Sequence, residues 1–450
     1  MIFRRKVYDQ LLAWKKLSAG STAVLLEGAR RVGKSTVMEA FAQREYDDYL
    51  LLDFARESQD IKDNFRENLQ DLDAFFRNLF LLKGKSLRGK RCAIIFDEVQ
   101  LFPEARQAIK YLVADGRYDY LETGSLISIR KNVQNILIPS EEYRIKMFPM
   151  DFEEYLWAMG DTVTAPVLYD AFQKKQPLGE HVHRTIMKKF RTYMAVGGMP
   201  QAVAGLVDGK DYEQLDFVKR NILDLYEEDL AKYDQENREK ASIVFRTIPE
   251  QLEHKNSHFR LSLLEKNARY RNYMDAVSFI AEAMIGNECI HVTAPDPAME
   301  LFADRSNFKL YMGDTGLLVT QCMRSDAHTG SALYKALITG RLGINEGMLM
   351  ENIVAQMLRA NGHRLYFHEF KYQPVGTLRE KTYEIDFLLV RNKKICPLEV
   401  KSSGYQAHKS FDYLKEKYPV KMEERYILYT KDLQRKDDVV FLPLYMAMCL

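Results

Sequence analysis

The chain has 450 residues, 46% hydrophobic and 28% charged, which excludes a disordered, collagen-like or disulfide-scaffold protein. At about 100–200 residues per domain it holds two to four domains. Lys and Arg number 65 against 63 Asp and Glu, a net charge of +2, which argues against a histone-like coater of DNA but leaves room for a local basic face. The five cysteines, Cys92, Cys289, Cys322, Cys396 and Cys449, form no CxxC pair. Neither a zinc ribbon nor a disulfide framework is expected, and a reducing cytoplasm fits. The opening MIFRRKVYDQLLAWKK lacks an apolar h-region, and no apolar run reaches about 18 residues, so neither a signal peptide nor a membrane span is expected.

Five short apolar runs alternate with helical stretches from about residue 20 to 150. They are TAVLLEG (22–28), YLLLDF (49–54), RCAIIFDE (91–98), YDYLETGS (118–125) and EEYRIKMFPM (141–150). Nearly continuous apolar runs suit parallel strands buried on both faces, so the pattern predicts a three-layer α/β domain. From 151 to 235 the spacing turns helical, in FEEYLWAMG, in HRTIMKKFRTYMAVGGMP stopped by Gly197, Gly198 and Pro200, and in NILDLYEEDLAKYD. Residues 238–300 read as three helices and a strand, NECIHVTAP. That sketch fits a winged helix-turn-helix with RYRNYMDAVSFIAEAM as its recognition helix. A second α/β region runs from 305 to 450. It has a helix GMLMENIVAQMLRANG, strands RLYFHEF, TYEIDFLLVRNKK and KICPLEVKSS, a helix near 407–417, and strands RYILYT and VVFLPLY.

Gly28-Ala29-Arg30-Arg31-Val32-Gly33-Lys34-Ser35 fits GxxxxGK[ST] between an apolar strand and a helix. In that setting backbone N–H groups of the loop, Arg31, Val32 and Gly33 among them, wrap phosphates, aided by the helix N-terminus. Lys34 then reaches the β- and γ-phosphates, and the Ser35 hydroxyl faces Mg²⁺. AIIFDE (93–98) supplies the acidic partner, with Asp97 to hold Mg²⁺ through water and Glu98 to polarise the attacking water. Thr123, Gly124 and Ser125 end another strand, where a polar group can orient that water; a plain turn is the alternative. No NKxD motif is present, so ATP is favoured over GTP. Arg130 and Arg144 are the candidates for cationic help at the γ-phosphate, each with the alternative of an ordinary surface arginine.

A second set lies between 351 and 401. Glu351 is in the GMLMENIVAQML helix, Asp386 in EIDFLLV, and Glu399 and Lys401 in PLEVKSS. Residues two apart on a strand share a face, so Glu399 and Lys401 point the same way. A turn at RNKK would bring Asp386 beside Glu399. Two carboxylates about 4–5 Å apart make a hard-oxygen site for Mg²⁺ or Mn²⁺. Lys401 would then activate water or steady the phosphate. A salt-bridged triad on a solvated sheet face is the alternative.

Through LLEGARRVGKST, IIFDEVQ, LETGS, MFPMDFEEYL, VGGMPQAV, FKLYMGDTGLL, GMLMENIVAQML and EIDFLLV…CPLEVKSS, the chain resembles the prokaryotic AAA-type ATPases that carry a C-terminal restriction-endonuclease-like domain. It is also similar to the archaeal ATPase branch of the STAND-like group. The likeness covers nearly the whole chain, and its most specific part looks like a PD-(D/E)xK core with its lysine retained. The resemblance implies a P-loop AAA-type ATPase domain over 1–150, a helical lid over 151–235, a winged helix over 236–304 and a PD-(D/E)xK nuclease-like domain over 305–450. It implies nucleotide contacts at Gly33, Lys34, Ser35 and Thr36, and Mg²⁺ at Ser35 and Asp97. It also implies a second metal site at Asp386 and Glu399, with Lys401 catalytic and Glu351 supporting. The chain departs from its relatives at Tyr143-Arg144, where they often have Gly-Arg.

Charge around the second set is modestly basic: residues 391–437 hold 12 Lys and Arg against 7 Asp and Glu. Residues 231–275 hold 9 against 7, a weak balance for a DNA-reading helix, so protein contact is an equal expectation there. The leading expectation is an Mg²⁺-dependent ATPase coupled to a nuclease-like domain that acts on or docks to nucleic acid, as a possible homo-oligomer in the cytoplasm. The alternative is a nucleotide-switched binding or oligomerisation module whose nuclease-like fold is silent. A small-molecule kinase fits less well, because no second phosphate-acceptor site is found.

Overall fold

The five N-terminal apolar runs form five parallel strands, β1 (Ala23–Gly28), β2 (Asp48–Asp53), β3 (Cys92–Asp97), β4 (Asp119–Gly124) and β5 (Glu142–Met147), in the order β2-β3-β4-β1-β5. The computed structural model describes residues 2–124, 139–234, 239–254, 258–266, 268–324, 331–340, 346–375, 379–403, 409–418 and 422–450; Ser125 and Arg130 lie outside them. The chain divides into two compact units. One is Met1–Phe148 with Glu282–Met284, and the other is Pro149–Ala281 with Ile285–Leu450.

In the first unit β1 and β3 are buried along their whole length, which is why they read as unbroken apolar runs. Helices α1 (Val7–Ser18), α2 (Lys34–Glu45), α3 (Gln59–Asn68), α4 (Leu72–Lys83) and α5 (Pro103–Asp115) accompany the sheet. Ser58 caps α3 and Asp71 caps α4 through side-chain oxygens, and α4 stops at Gly84, whose φ of 61° is left-handed. Leu25, Leu52, Phe54, Phe65, Phe75, Phe96 and Phe102 share one core, in which Phe65 meets Phe54, Phe75, Phe96 and Phe102 edge-on. This packing fixes the carboxyl ends of β1, β3 and β4, where open α/β sheets form their crevice.

The second unit begins with helices. A capping box between Asp151 and Glu154 starts α6 (Phe152–Ala158). After it come α7 (Thr164–Lys174), α8 (Glu180–Val196), α9 (Pro200–Val207) and α10 (Tyr212–Asp234). Among the described residues of 239–282, where the sequence suggested helices of a winged helix-turn-helix, are α11 (Lys240–Glu253), a 3₁₀ turn at Leu261–Leu263 and α12 (Tyr270–Glu282). Strand β6 (Gly286–Val292) pairs antiparallel with β7 (Ala303–Met312) and parallel with β8 (Leu365–Tyr372). It therefore joins a four-stranded sheet, β7-β6-β8-β9, that crosses the domain boundary expected at 304. Its buried Cys289, Ile290 and Val292 gain cover that a lone wing strand would lack.

Three helices follow β7: α13 (Thr315–Cys322), α14 (Ser331–Thr339) and α15 (Glu346–Ala360). The TYEIDFLLV run, expected as one strand, divides at Asp386 into β9 (Lys381–Ile385), paired with β8, and β10 (Phe387–Arg391), paired with β11 (Lys394–Val400). Helix α16 (Lys409–Lys417), β12 (Arg425–Tyr429), β13 (Gln434–Lys436) and β14 (Val439–Pro443) complete a second sheet, β10-β11-β12-β14-β13. The two sheets share a core that includes Ile290, Phe370, Leu388, Ile427 and Phe441. Among the described residues, no helix is long and apolar enough to cross a membrane.

A buried polar knot ties the helices together. The Gly198 N–H donates to Asp314 Oδ2 at 2.6 Å, and Lys219 Nζ donates to the carbonyls of Ala195 and Gly316. Helix α15 supplies Gln356, which accepts from the Thr315 N–H and donates to the Tyr193 hydroxyl. The Met150 N–H donates to the Gly198 carbonyl at 2.7 Å, and the Tyr193 hydroxyl donates to the Met150 carbonyl. These groups explain the VGGMPQAV, GDTGLL and GMLMENIVAQML motifs as packing. A Cβ on Gly198 would lie 2.1 Å from the Met150 carbonyl oxygen, and one on Gly316 would lie 2.3 Å from that of Val196.

Candidate functional site

The phosphate loop leaves β1 at Gly28, where a Cβ would lie 2.4 Å from the Met147 carbonyl oxygen, so only glycine fits. Arg31 (φ 70°) and Gly33 (φ 96°) turn the chain, and α2 begins at Lys34. The guanidinium of Arg5 donates to the Val32 carbonyl (2.9 Å) and the Phe148 carbonyl (2.6 Å), bracing the loop. Arg5 was not legible as a site residue, because nothing in its spacing ties it to the loop.

Lys34 is buried, and its ammonium donates to the carbonyls of Gly28 and Ala29, each at 3.0 Å. Burial pushes its pKa down to about 8, against the pull of the Glu98 and Asp97 carboxylates. The Ser35 hydroxyl donates to Asp97 Oδ1 at 2.7 Å, and the Thr123 hydroxyl donates to the same oxygen. Thr123 Oγ1 also accepts from the Glu98 N–H at 3.2 Å. Residues from β1–α2, β3 and β4 thus meet at one point. Ser35 and Asp97 offer adjacent hard oxygens, a donor set suited to Mg²⁺ that also keeps waters and phosphate oxygens. Glu98 stands at left-handed φ (54°), and its carboxylate accepts from Gln100 Nε2. Gln100 was not foreseen, although it lies in the IIFDEVQ motif. Thr36 is exposed on α2.

Arg144, a candidate for the γ-phosphate with an ordinary surface arginine as the alternative, has an exposed side chain on β5. It sits opposite Leu25 in the β1–β5 register, and its guanidinium faces Glu142 (3.4 Å) and Glu27 (3.9 Å). Beside it the buried Arg106 grips Glu142 through two nitrogens at 2.5 and 2.7 Å. Glu122 lies fully buried on β4, and neither of its carboxylate oxygens has a hydrogen-bond partner among the described residues. Burial, reinforced by Glu142, pushes its pKa well above the usual carboxylate range.

In the second unit the β10–β11 hairpin turns at Asn392 and Lys393, both at left-handed φ (49° and 59°). Phe387 pairs with Leu398, and extending that register sets Asp386 opposite Glu399. Asp386 Oδ2 accepts from the Val400 N–H at 2.7 Å. Glu399 is 2% exposed; it pairs with Lys401 at 2.8 Å and accepts from the Ser410 hydroxyl. Burial raises the Glu399 pKa, opposed by Lys401. For Lys401 burial lowers the pKa, but Glu399 outweighs it and the net shift is upward. Glu351 accepts from the Tyr311 hydroxyl at 3.2 Å.

Two groups that sequence reasoning missed also reach this place. Lys309 on β7 pairs with Glu384, 75 residues away in sequence. Burial lowers the Lys309 pKa, but Glu384, Glu351 and Asp386 outweigh it and the net shift is upward. A cavity of about 250 Å³ is lined by Lys309, Glu351, Glu384 and Lys401, with Gln251 and Phe259 on its wall. Among the described residues, no three His, Cys, Asp or Glu side chains converge as a metal cage. Asp386 and Glu399 would alone leave most of a divalent ion's shell to waters and substrate oxygens.

Residues 20–156 match the family model of an AAA domain. Residues 187–328 and 346–446 match models of two domains of unknown function, DUF8612 and DUF4143. With the loop geometry above, residues 20–156 are an AAA domain that carries a P-loop. No curated protein matches the sequence. Among solved structures, PCH-2 from C. elegans aligns at 13% identity and TM-score 0.27, over 45% of this chain and 61% of that one. The chain thus spans less than two thirds of the worm protein. AMPPCP-bound DnaA from Aquifex aeolicus aligns at 11% identity and TM-score 0.25, over 62% of this chain and 81% of that one. Protein VC1899 from Vibrio cholerae aligns at 10% identity and TM-score 0.19, over 95% of each chain.

Proposed function

We propose that the P-loop domain binds and hydrolyses ATP, and that the C-terminal region is a nuclease-like domain whose action on, or docking to, nucleic acid is coupled to that turnover. The observation that carries the first half is the convergence of Ser35, Asp97 and Thr123 on one oxygen beside the phosphate loop. Gly28, Arg31, Val32 and Gly33 cradle phosphates with backbone N–H groups, and Thr36 adds its hydroxyl from the first turn of α2. Lys34 moves from the Gly28 and Ala29 carbonyls to the β- and γ-phosphates. Ser35 and Asp97 hold Mg²⁺, which neutralises phosphate charge when bound. Glu98 polarises the attacking water, and Thr123 keeps Glu98 and Asp97 in register.

In the second half of the reading, residues 151–235 are a helical lid, 236–304 a winged helix and 305–450 a PD-(D/E)xK fold. Asp386 and Glu399 hold a divalent ion, Mg²⁺ or Mn²⁺, with Glu351 in support, and Lys401 activates water or steadies the phosphate. What supports it is the register that sets Asp386 opposite Glu399, with Lys401 on the same face. A second reading has its own support. Each of the four acidic groups already has an internal donor: Tyr311 for Glu351, Lys309 for Glu384, Val400 for Asp386, and Lys401 with Ser410 for Glu399. That suits a nucleotide-switched binding or homo-oligomer module with a silent nuclease-like fold.

One experiment separates the two. The purified chain is mixed with plasmid and with single-stranded DNA and RNA, with Mg²⁺ or Mn²⁺, with and without ATP, while phosphate release is followed. Cleavage that disappears in Asp386→Ala and Lys401→Ala supports the nuclease reading. ATP hydrolysis without cleavage on any substrate selects the binding module, and absence of both ends the proposal.

A further inference from the structure

The chain leaves β3 through a 3₁₀ turn, Val99–Leu101. Val99 and Phe102 are buried in the aromatic core of the first unit, so the turn is anchored on both sides. It closes with the Leu101 N–H donating to the Glu98 carbonyl at 2.9 Å and the Phe102 N–H to that of Val99 at 3.2 Å. Gln100 lies inside this turn and is 5% exposed. Burying an amide is unfavourable unless its polar atoms are bonded, and an apolar residue would fill the place without that cost. The Gln100 Nε2 donates to Glu98 Oε2. The other carboxylate oxygen, Oε1, has no hydrogen-bond partner among the described residues.

Glu98 is thus held at two points, its N–H by Thr123 Oγ1 and one carboxylate oxygen by Gln100, while the second oxygen is left to accept a proton from water. An unanchored carboxylate would be drawn to the Lys34 ammonium, on which Glu98 acts more strongly than Asp97 does. That pairing would take both groups away from the phosphates. An amide fixes the carboxylate and leaves its negative charge in place, which a lysine or arginine at this position would offset. We propose that Gln100 is a positioning residue for ATP hydrolysis: by anchoring Glu98 Oε2 it turns Oε1 toward the attacking water. The inference rests on the reading of Glu98 as the group that polarises this water.

The test is single-turnover ATP hydrolysis and equilibrium ATP binding by the full chain, in wild type, Gln100→Met, Glu98→Gln and the double variant. Methionine keeps the volume of the side chain and removes the donor. Gln100→Met is expected to slow hydrolysis about 10–100-fold while ATP affinity stays within about threefold of wild type. The double variant is expected to hydrolyse ATP within about twofold of Glu98→Gln alone, because the anchor has no carboxylate left to orient. A packing role would instead change affinity or melting temperature, and its loss would multiply with that of Glu98→Gln. Gln100→Glu, of the same shape but without the donor, decides the matter if Gln100→Met does not fold, and the same slowing is expected of it. Hydrolysis at the wild-type rate or faster in the deciding variant, with Glu98→Gln slow, overturns the proposal and leaves the reading of Glu98 standing. So does a double variant whose loss is the product of the two single losses. Wild-type hydrolysis in Glu98→Gln removes the reading of Glu98, and the role of Gln100 falls with it.

Discussion

Glu98 is held out of the ordinary backbone range, with Gln100 on its carboxylate and Thr123 on its N–H. On the proposed reading this group acts on water rather than on ATP binding. Glu98→Gln is therefore expected to lower phosphate release by about 10²–10⁴-fold while leaving ATP affinity within a few fold, as measured by single-turnover kinetics and equilibrium binding. His368 allows a second prediction at this scale. Its Nδ1 bonds to the Val292 carbonyl at 2.7 Å and its buried Nε2 has no partner among the described residues, so the neutral form donates from Nδ1. Burial lowers its pKa to about 4, helped by His291 and Lys417 and opposed by the Val292 carbonyl and Glu369. The folded state thus resists a proton that the unfolded state accepts below its ordinary value near 6.5. Stability from this group is complete above that value and falls as pH drops toward 4. His368→Phe loses a hydrogen bond and should melt lower at pH 7. Its melting temperature should also change less than that of wild type between pH 6.5 and 4; equal slopes would refute the assignment.

Helix ends and glycine contacts set the next scale. Gly197, Gly198 and Gly316 let two chain segments approach Asp314 and Lys219 with no room for a side chain. Gly316→Ala drives a methyl into the Val196 carbonyl, so a loss of about 1–3 kcal/mol is expected, read as a lower denaturant midpoint at unchanged slope. Elements whose information is local were legible from their residues alone. The five N-terminal strands, the strand–loop–helix at Gly28–Ser35 and the Asn392-Lys393 hairpin turn depend on neighbours in sequence. Elements whose information is distant were not. The division of TYEIDFLLV at Asp386 follows from two different partners, β8 and β11, and no periodicity records that choice. Lys309 reads as an ordinary charge in FKLYMGDTGLL until β7 brings it to Glu384.

For the molecule as a whole, the nucleotide site and the acidic pocket belong to separate compact units, each with its own core. Nucleotide that binds only the folded first unit stabilises it by mass action, about 2.7 kcal/mol at 100 times the dissociation constant. Thermal unfolding monitored with saturating ATP and Mg²⁺ should show that gain in wild type, and Lys34→Ala should show none; an equal gain in both would remove Lys34 from the nucleotide contacts. The separate cores also explain why the site motifs could be read independently of each other, while the sheet holding β6 could not be drawn from either stretch alone. That sheet has a consequence for synthesis. β6 finds β7 almost at once, but its other edge pairs with β8, which emerges from the ribosome about seventy residues later. At about 5–20 residues per second the edge waits several seconds, open to other nascent chains. Holdase chaperones that bind exposed strands should therefore crosslink to β6 on stalled chains ending before residue 365, and release it on chains that extend past β8.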